Sequence, residues 1–211
     1  APMANQTINI RSYNMNDATN ISELGEAIYP HLNRPDVKFN ENGEYKVNLK
    51  IPEAKAKGMI AIYEKAIQDS ISEAEAKLNG KKVKLAPKPY SIEDGQVIFK
   101  YKMKATGINR KTKEPFSQRP ALFDAKKNPL NPSSCNIWGG SKMKIAYVLR
   151  SYYSPALGAG VTAQLKAVQI IELVEGKQLD LFAKEDGYET TTSPEEMNNV
   201  PKTEVQTSTD F

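Results

Sequence analysis

The stretch NIWGGSKMKIAYVLRSYYSPALGAGVTAQLKAVQIIELV, residues 136–174, decides the fold of this chain. It reads as two β-strands joined by a Pro/Gly turn, because alternating apolar and polar side chains lie on both sides of SPALGAG. The apolar side chains of the first strand occupy every second position: Met143, Ile145, Tyr147 and Leu149. Since successive side chains point to opposite faces of a strand, the other face carries a basic row that ends in an aromatic: Lys142, Lys144, Arg150 and Tyr152.

Two further segments repeat this basic-strand pattern. They are EYKVNLKI, residues 44–51, and QVIFKYKMKAT, residues 96–106. In the second segment the inward side chains are Val97, Phe99, Tyr101, Met103 and Ala105. The outward basic side chains of the two segments are Lys46, Lys50, Lys100, Lys102 and Lys104. Because neutralising phosphates needs clustered Lys and Arg, the repetition favours a nucleic-acid groove over a solvated sheet face, which is the alternative.

Between these two strands the sequence predicts one long helix, over residues 53–78. Its apolar residues recur at steps of three and four, which places them on one stripe: Met59, Ile60, Tyr63, Ala66, Ile67, Ile71, Ala74 and Leu78. Asn79 and Gly80 are typical of a left-handed helix cap.

Shorter elements complete the fold prediction. Residues 108–115 form a basic hairpin tip, and residues 119–125 contain a short strand. The order is strand, long helix, then several strands in hairpins. This order predicts a mainly β fold, best described as a five-stranded OB-fold barrel with the helix as an insertion.

The net charge of +4 conceals two regions of opposite sign. From Glu175 onward there are nine Asp and Glu against three Lys, which gives −6; the first 174 residues then hold 26 basic and 16 acidic groups, or +10. A basic body with an acidic tail predicts a polyanionic partner and a tail that competes with it. The predicted organisation is an N-terminal segment over 1–27, a folded domain over 28–175 and a flexible, disordered acidic tail over 176–211, whose composition cannot offset its ordering entropy.

The signatures of common enzymes are absent from the sequence. Gly139, Gly140, Ser141 and Lys142 lack the upstream glycine of a phosphate-binding loop and open a strand instead of a helix. A single histidine, His31, and a single cysteine, Cys135, make neither a zinc site nor a Cys/His nucleophile pair. We therefore expect a non-enzyme with no cofactor and no metal.

The same residue counts bear on location. One cysteine excludes an internal disulfide and suits a reducing cytoplasm. No apolar run approaches the length that crosses a bilayer, and no signal peptide precedes Met3, so no membrane association is expected.

Several of these segments, in the same order along the chain, resemble the single-stranded DNA-binding proteins of tailed phages. The matching stretches are residues 43–52, 99–102, 110–114, 139–149, 158–161, 171–173 and the terminal pair 210–211. The resemblance implies an OB-fold with a long inserted helix and sequence-independent binding of single-stranded DNA in phage replication and recombination, in the cytoplasm of the host cell. It also implies a C-terminal tail that contacts replication partners such as the polymerase and the helicase, and a homodimer.

For the DNA site, the basic rows supply the predicted phosphate contacts: Lys46, Lys50, Lys100, Lys102, Lys104, Lys142, Lys144 and Arg150. Exposed rings are expected to stack on bases, and the candidates are Tyr152, Tyr153 and Trp138. Tyr101 and Tyr147 share a face with core residues, so packing is expected for them. An RNA-binding OB protein and an interaction adaptor remain alternatives.

Two segments near the end of the chain are candidate partner sites. QLDLF, formed by Gln178, Leu179, Asp180, Leu181 and Phe182, coincides with the pentapeptide by which bacterial proteins dock on the sliding clamp of the host. The alternative is that these residues pack at the end of the last strand. Asp210 and the terminal Phe211 suit a pocket that takes an aromatic ring beside carboxylates, and the alternative is a solubilising tail.

Overall fold

The computed structural model describes residues 18–109 and 111–176. The candidate partner segments 178–182 and 210–211 lie outside these residues. The described part contains one helix, α1 (Glu53–Lys77), and ten strands. The strands are β1 (Asn20–Ile21), β2 (Gly25–Asp36), β3 (Glu44–Pro52), β4 (Tyr90–Glu93), β5 (Gln96–Lys104), β6 (Thr106–Ile108), β7 (Pro115–Ser117), β8 (Ala121–Phe123), β9 (Lys142–Ser154) and β10 (Gly158–Glu172). The prediction of a mainly β fold with one long helix is confirmed.

Five strands pair in a circuit that returns to its starting strand. β2 pairs antiparallel with β3, β3 with β5, and β5 lies parallel to β10. β10 then runs antiparallel along almost the whole of β9, which in turn pairs with the start of β2. β1, β4 and β8 add to β9, β5 and β10, while β6 and β7 form a separate hairpin.

The buried core follows the predicted alternation along β5 and the first half of β9. The predicted inward residues of β5 and of the turn after it are all buried: Val97, Phe99, Tyr101, Met103 and Ala105. In β9 the alternation holds through Tyr147, after which Val148 is buried and Leu149 is half-buried. The pairing of β9 with β10 shifts between Leu165 and Ala167, which leaves an extra residue in β10. Such a bulge bends and twists the hairpin, so the burial of every second residue does not continue along its whole length.

Helix α1 starts and ends where the sequence predicts. Pro52 precedes it, and Asn79 and Gly80 follow it with φ angles of 56° and 80°, the left-handed conformation of a helix cap. Its buried side chains are Ala56, Met59, Tyr63, Ile67, Ser70 and Ala74. Ser70 was not predicted to be buried; its hydroxyl donates to the carbonyl of Gly160 at 2.8 Å and so ties the helix to β10. Within the described ranges, no helix combines the length and the apolar character that a bilayer crossing requires.

Three tyrosines from different elements meet inside the sheet. The Tyr147 ring lies 5.6 Å from that of Tyr63 and 5.1 Å from that of Tyr101, measured between ring centroids. No hydrogen-bond partner for their buried hydroxyls lies among the described residues. Burial raises the pKa of all three, that of Tyr147 to about 12. The prediction that Tyr101 and Tyr147 pack in the core is confirmed.

The longest element that the sequence did not predict is β2. Between the pairs Ile28–Asn48 and His31–Lys46, β2 has two residues where β3 has one, so Tyr29 and Pro30 form a bulge. The two prolines and the extra bulge residue interrupt the alternation of apolar and polar side chains from which a strand is predicted. β1 and the first residues of β2 precede residue 28, so the sheet starts earlier than the predicted domain.

The closure of the circuit at β2 predicts a stability effect. A Cβ at Gly25 would lie 2.6 Å from Cγ of Leu49 and 2.7 Å from Cγ1 of Ile51, both fully buried. Gly25→Ala is therefore expected to lower the free energy of unfolding by about 1–3 kcal/mol through overpacking. Gly58→Ala is the matched control, since no atom lies within 4 Å of its added Cβ; on the helix it should raise stability by about 0.5–1 kcal/mol. Urea unfolding measures both, and a neutral Gly25→Ala would contradict the tight closure.

Candidate nucleic-acid interface

The register of β3 and β5 places two rows of lysines side by side on the outer face. Lys46 lies directly opposite Lys102, and Asn48 lies opposite Lys100. The basic side chains of β5 are exposed, while the intervening residues are buried. Like charges directly opposite each other across two strands destabilise a sheet. An arrangement with this cost suits a surface that binds a polyanion.

The row that contains Lys46 and Lys102 extends across neighbouring strands. His31 of β2 pairs with Lys46, and Gln164 of β10 pairs with Lys102. The Arg150 Nε donates to the side-chain oxygen of Gln164 at 3.2 Å, which attaches β9 to the same row. We call the surface formed by Lys46, Lys100, Lys102, Lys104 and Arg150 the central basic face.

The other three predicted phosphate ligands lie in a different place. Lys50 is 3.0 Å from a carboxylate oxygen of Glu26, and Glu26 pairs in register with Lys142. Lys142 also forms a 2.8 Å ion pair with Glu172. Lys144 follows on the same strand, opposite Gln169. Positive and negative groups therefore alternate around the start of β9, in contrast to the central basic face.

Carboxylates also contact part of the central basic face. Asp36 of β2 forms a 2.5 Å ion pair with Lys46, and the hydrogen bond from Lys46 holds the pKa of Asp36 below its usual value. Glu44 lies 3.9 Å from Lys102. No carboxylate of the described residues lies within 4.0 Å of the ammonium groups of Lys100, Lys104 and Lys144. Phosphate would reach these lysines directly, whereas it must displace Asp36 from Lys46.

The predicted stacking residues are not brought together. Tyr152 pairs with Gly160, and its hydroxyl lies 3.3 Å from the position that a Cβ of residue 160 would take. Tyr153 points to the opposite face of the strand and is 44% exposed. Trp138, 57% exposed, lies before the other end of β9. At about 3.3 Å per residue, the ten residues from Lys142 to Tyr152 span roughly 33 Å.

Sequence reasoning missed three groups on this surface, and all belong to β2. Tyr29 is 78% exposed, and Glu26 and Asp36 form the ion pairs described above. The missing signal is β2 itself, because only its pairing with β3 places Asp36 next to Lys46 and Glu26 next to Lys50. Among the described residues, no group of three or more His, Cys, Asp or Glu could hold a metal ion.

A basic sheet face with exposed aromatic rings nearby is the surface of a nucleic-acid-binding protein. A sequence model of the family described as the single-stranded DNA-binding protein of bacteriophage T7 matches residues 24–173. The chain therefore belongs to this family of phage single-stranded DNA-binding proteins. No protein with a curated description matches the chain in sequence.

Solved structures show the same fold. The crystal structure of gp2.5, a single-stranded DNA-binding protein encoded by bacteriophage T7, is 29% identical; the match covers 83% of this chain and 100% of that one, with a TM-score of 0.68. The single-stranded DNA-binding protein of bacteriophage Enc34 is 16% identical over 78% of this chain and 87% of its own, with a TM-score of 0.55. The same protein in complex with single-stranded DNA matches 75% of this chain and 89% of its own, at 16% identity and a TM-score of 0.55. At this identity, the Enc34 matches concern the fold alone.

The ion pair of Asp36 predicts an unusual gain of affinity. Asp36→Asn removes the carboxylate that competes with phosphate for Lys46, so single-stranded DNA should bind more tightly at low salt. The salt slope should steepen by about 0.7, the contribution of one added phosphate contact on a single strand. Fluorescence anisotropy of labelled oligo-dT across a salt series measures both. Asp69→Asn is the control, because Asp69 pairs with Lys65 on the helix surface. Equal affinities for wild type and Asp36→Asn would contradict the competition.

Proposed function

We propose that this chain binds single-stranded DNA without sequence preference along the central basic face, during phage DNA replication and recombination in the cytoplasm of the host cell. The observation that carries the proposal is the register of β3 and β5, which sets Lys46 opposite Lys102 and Lys100 beside them. Ammonium groups at this spacing can contact the phosphates of a nucleic-acid backbone. Such contacts do not distinguish one base sequence from another.

The five-strand circuit supports assignment of the domain to the OB-fold barrels. Helix α1 follows β3 and precedes β5, in the position of a long insertion between early strands. OB-folds that bind single-stranded nucleic acid combine a basic groove with aromatic rings that stack on bases. Here the basic groove corresponds to the central basic face, and Tyr152 and Tyr153 are the stacking candidates at the end of β9.

Binding of this kind requires no chemical step, so the proposed protein is not an enzyme. Phosphate contacts release counterions and make the affinity fall with salt, while stacking contributes without that dependence. An RNA-binding protein would prefer RNA over DNA oligomers of equal length. An adaptor whose basic face is incidental would bind neither at modest salt.

Removing two lysines from the central basic face tests the proposed groove. Lys100→Ala combined with Lys102→Ala should weaken binding to all DNA sequences alike and reduce the salt slope by about 1–2, because each lost contact removes roughly 0.7. Lys57→Ala combined with Lys65→Ala is the matched control, since it removes the same charge from the exposed side of α1. Anisotropy titrations with oligo-dT measure the slope, and competition by oligo-rU separates DNA from RNA binding. An unchanged slope in the first variant would place the DNA elsewhere.

The proposal includes partners for the segments that lie outside the described residues. Leu179, Leu181 and Phe182 of the QLDLF segment would fill an apolar pocket of the host sliding clamp, while Gln178 would hydrogen-bond at its rim. Phe211 and Asp210 would dock on the phage polymerase or helicase. The support for both is the residue pattern and, for the terminal pair, the resemblance to the family. The resemblance also supports a homodimer, whose presence sedimentation of the full chain would detect.

Two changes in the tail separate these partners. Leu181→Ala combined with Phe182→Ala should abolish capture of the host clamp and leave capture of the polymerase or helicase intact. Deletion of Phe211 should have the reverse effect, so each variant serves as the control for the other. Pull-downs with the full-length chain measure both. Equal clamp recovery from wild type and the double variant would contradict the clamp assignment.

A further inference from the structure

Two large aromatic side chains border one shallow groove at the start of β9. The groove is lined by Tyr29 and Pro30 of β2 on one side and by Trp138 and Gly139 on the other. Both rings are mostly exposed, at 78% for Tyr29 and 57% for Trp138. We call this feature the Tyr29–Trp138 groove. It lies at the opposite end of β9 from Tyr152 and Tyr153.

The backbone holds Tyr29 in an unfavourable conformation. Tyr29 has a φ of 49°, in the left-handed region that few residues with a Cβ adopt. It occupies the bulge between the pairs Ile28–Asn48 and His31–Lys46, where the extra residue redirects a side chain away from the regular strand. A glycine would adopt this φ without strain, whereas a residue with a Cβ is strained here, and the Tyr29 ring is 78% exposed. Strain of this kind concentrates at binding sites.

Trp138 is fixed in place on one side. Its backbone N–H donates to the carbonyl of Val174 at 3.0 Å. A Cβ at Gly176 would lie 2.2 Å from the indole Cε2, so only a glycine backbone can run this close to the ring. Gly140, with a φ of 92°, donates its N–H to the carbonyl of Ala27 at 2.9 Å and ties the Trp138 turn to β2. An aromatic ring that is already ordered loses little entropy when a planar ligand stacks on it.

Cations lie next to the groove. Glu26, which also lines it, forms a 3.0 Å ion pair with Lys50 and pairs in register with Lys142. Lys142 is in turn held by Glu172 at 2.8 Å. A phosphate must therefore displace Glu26 or Glu172 to contact these lysines, as it must displace Asp36 from Lys46. Sites for single-stranded nucleic acid combine aromatic rings, which stack on bases, with ammonium groups, which contact phosphates. A protein partner would use the rings but has no need of the lysines.

We propose that the Tyr29–Trp138 groove is a second base-stacking site for single-stranded DNA, in which Tyr29 and Trp138 contact bases and Lys50 and Lys142 contact phosphates. This inference rests on the proposed function, which assigns the phosphate track to the central basic face. It adds a separate point of contact roughly 33 Å along β9 from Tyr152.

The chain carries a built-in reporter for this site, because Trp138 is the single tryptophan of the sequence. Titration of the full-length chain with oligo-dT should quench its fluorescence, with saturation at the concentration where the anisotropy of the labelled oligonucleotide saturates. An oligomer of the same length with abasic sugars should bind through its phosphates and leave the emission unchanged. Binding by anisotropy without any quenching by oligo-dT would overturn the second site and leave the proposed function intact. Absence of binding in both readouts would overturn the proposed function as well.

Tyr29→Gly separates recognition from folding. The substitution removes the ring and suits the left-handed backbone, so its urea midpoint should equal or exceed that of wild type. Its affinity for oligo-dT should fall roughly 5- to 150-fold, the loss expected for one stacked base. Tyr29→Phe keeps the ring and should retain the affinity of wild type.

Phe39→Ala is the matched control, because Phe39 is 84% exposed on the turn after β2 and does not line the groove. Its affinity should stay within twofold of wild type. An equal loss in Phe39→Ala and Tyr29→Gly would overturn the specific role of the groove, as would full affinity in Tyr29→Gly. Emission that changes with protein concentration and not with oligo-dT would assign the groove to a second copy of the chain instead.

Discussion

The structure depends on the double pairing of β9. Along most of its length this strand pairs with β10, while its first residues pair with the start of β2 and close the circuit. Backbone hydrogen bonds secure the junction, since Ala27 donates to the carbonyl of Ser141 at 2.8 Å and Ser22 donates to that of Ile145 at 2.9 Å. Ser22 also accepts a hydrogen bond from the Ile145 N–H on its side-chain oxygen. The junction thereby joins β9 to β2, which its own pairing with β3 holds beside the lysines.

The position of β2 determines the charge distribution on the candidate binding surface. Two lysine rows on adjacent strands repel each other, and β2 supplies the carboxylates that reduce this repulsion in the free protein. Asp36 compensates Lys46, and Glu26 compensates Lys50. Lys100 and Lys104 of β5 have no such partner within the described part of the chain. The availability of the cations is therefore graded: Lys46 and Lys50 of β3 are compensated, Lys102 of β5 lies 3.9 Å from Glu44, and Lys100 and Lys104 are the most available.

Strands with regular alternation could be predicted from the sequence, and those with interrupted alternation could not. β3, β5 and the first half of β9 bury every second residue, and that pattern is visible without a structure. β2 contains two prolines and a bulge, and its identity comes from hydrogen bonds to β3 and β9, which are distant in sequence. The buried Ser70 was missed for a similar reason, because its partner is the carbonyl of Gly160, ninety residues away along the chain.

The same limit applies to the candidate site. The lysines of the central basic face share a face by strand parity alone, so they could be chosen from the sequence. The separation of Trp138 from Tyr152 also follows from the sequence, because a predicted strand lies between them. The exposure of Tyr29 depends on a bulge in β2 and does not follow from local pattern. Membership in the phage single-stranded DNA-binding family is visible without a structure, because the family's sequence model matches residues 24–173.

The parallel contact between β5 and β10 is one of the two narrowest joins of the circuit; the other is the pairing of β9 with the start of β2. The β5–β10 contact pairs only Tyr101 with Ala163 and Lys102 with Gln164, whereas β9 and β10 are paired along nearly their whole length. Local opening of a folded domain begins where the fewest backbone hydrogen bonds hold it together. Lys102 stands on one side of this contact, and Arg150 is attached to the other through Gln164. A polyanion that contacted both cations would link β5 and β10 across this narrow join and restrain its local opening.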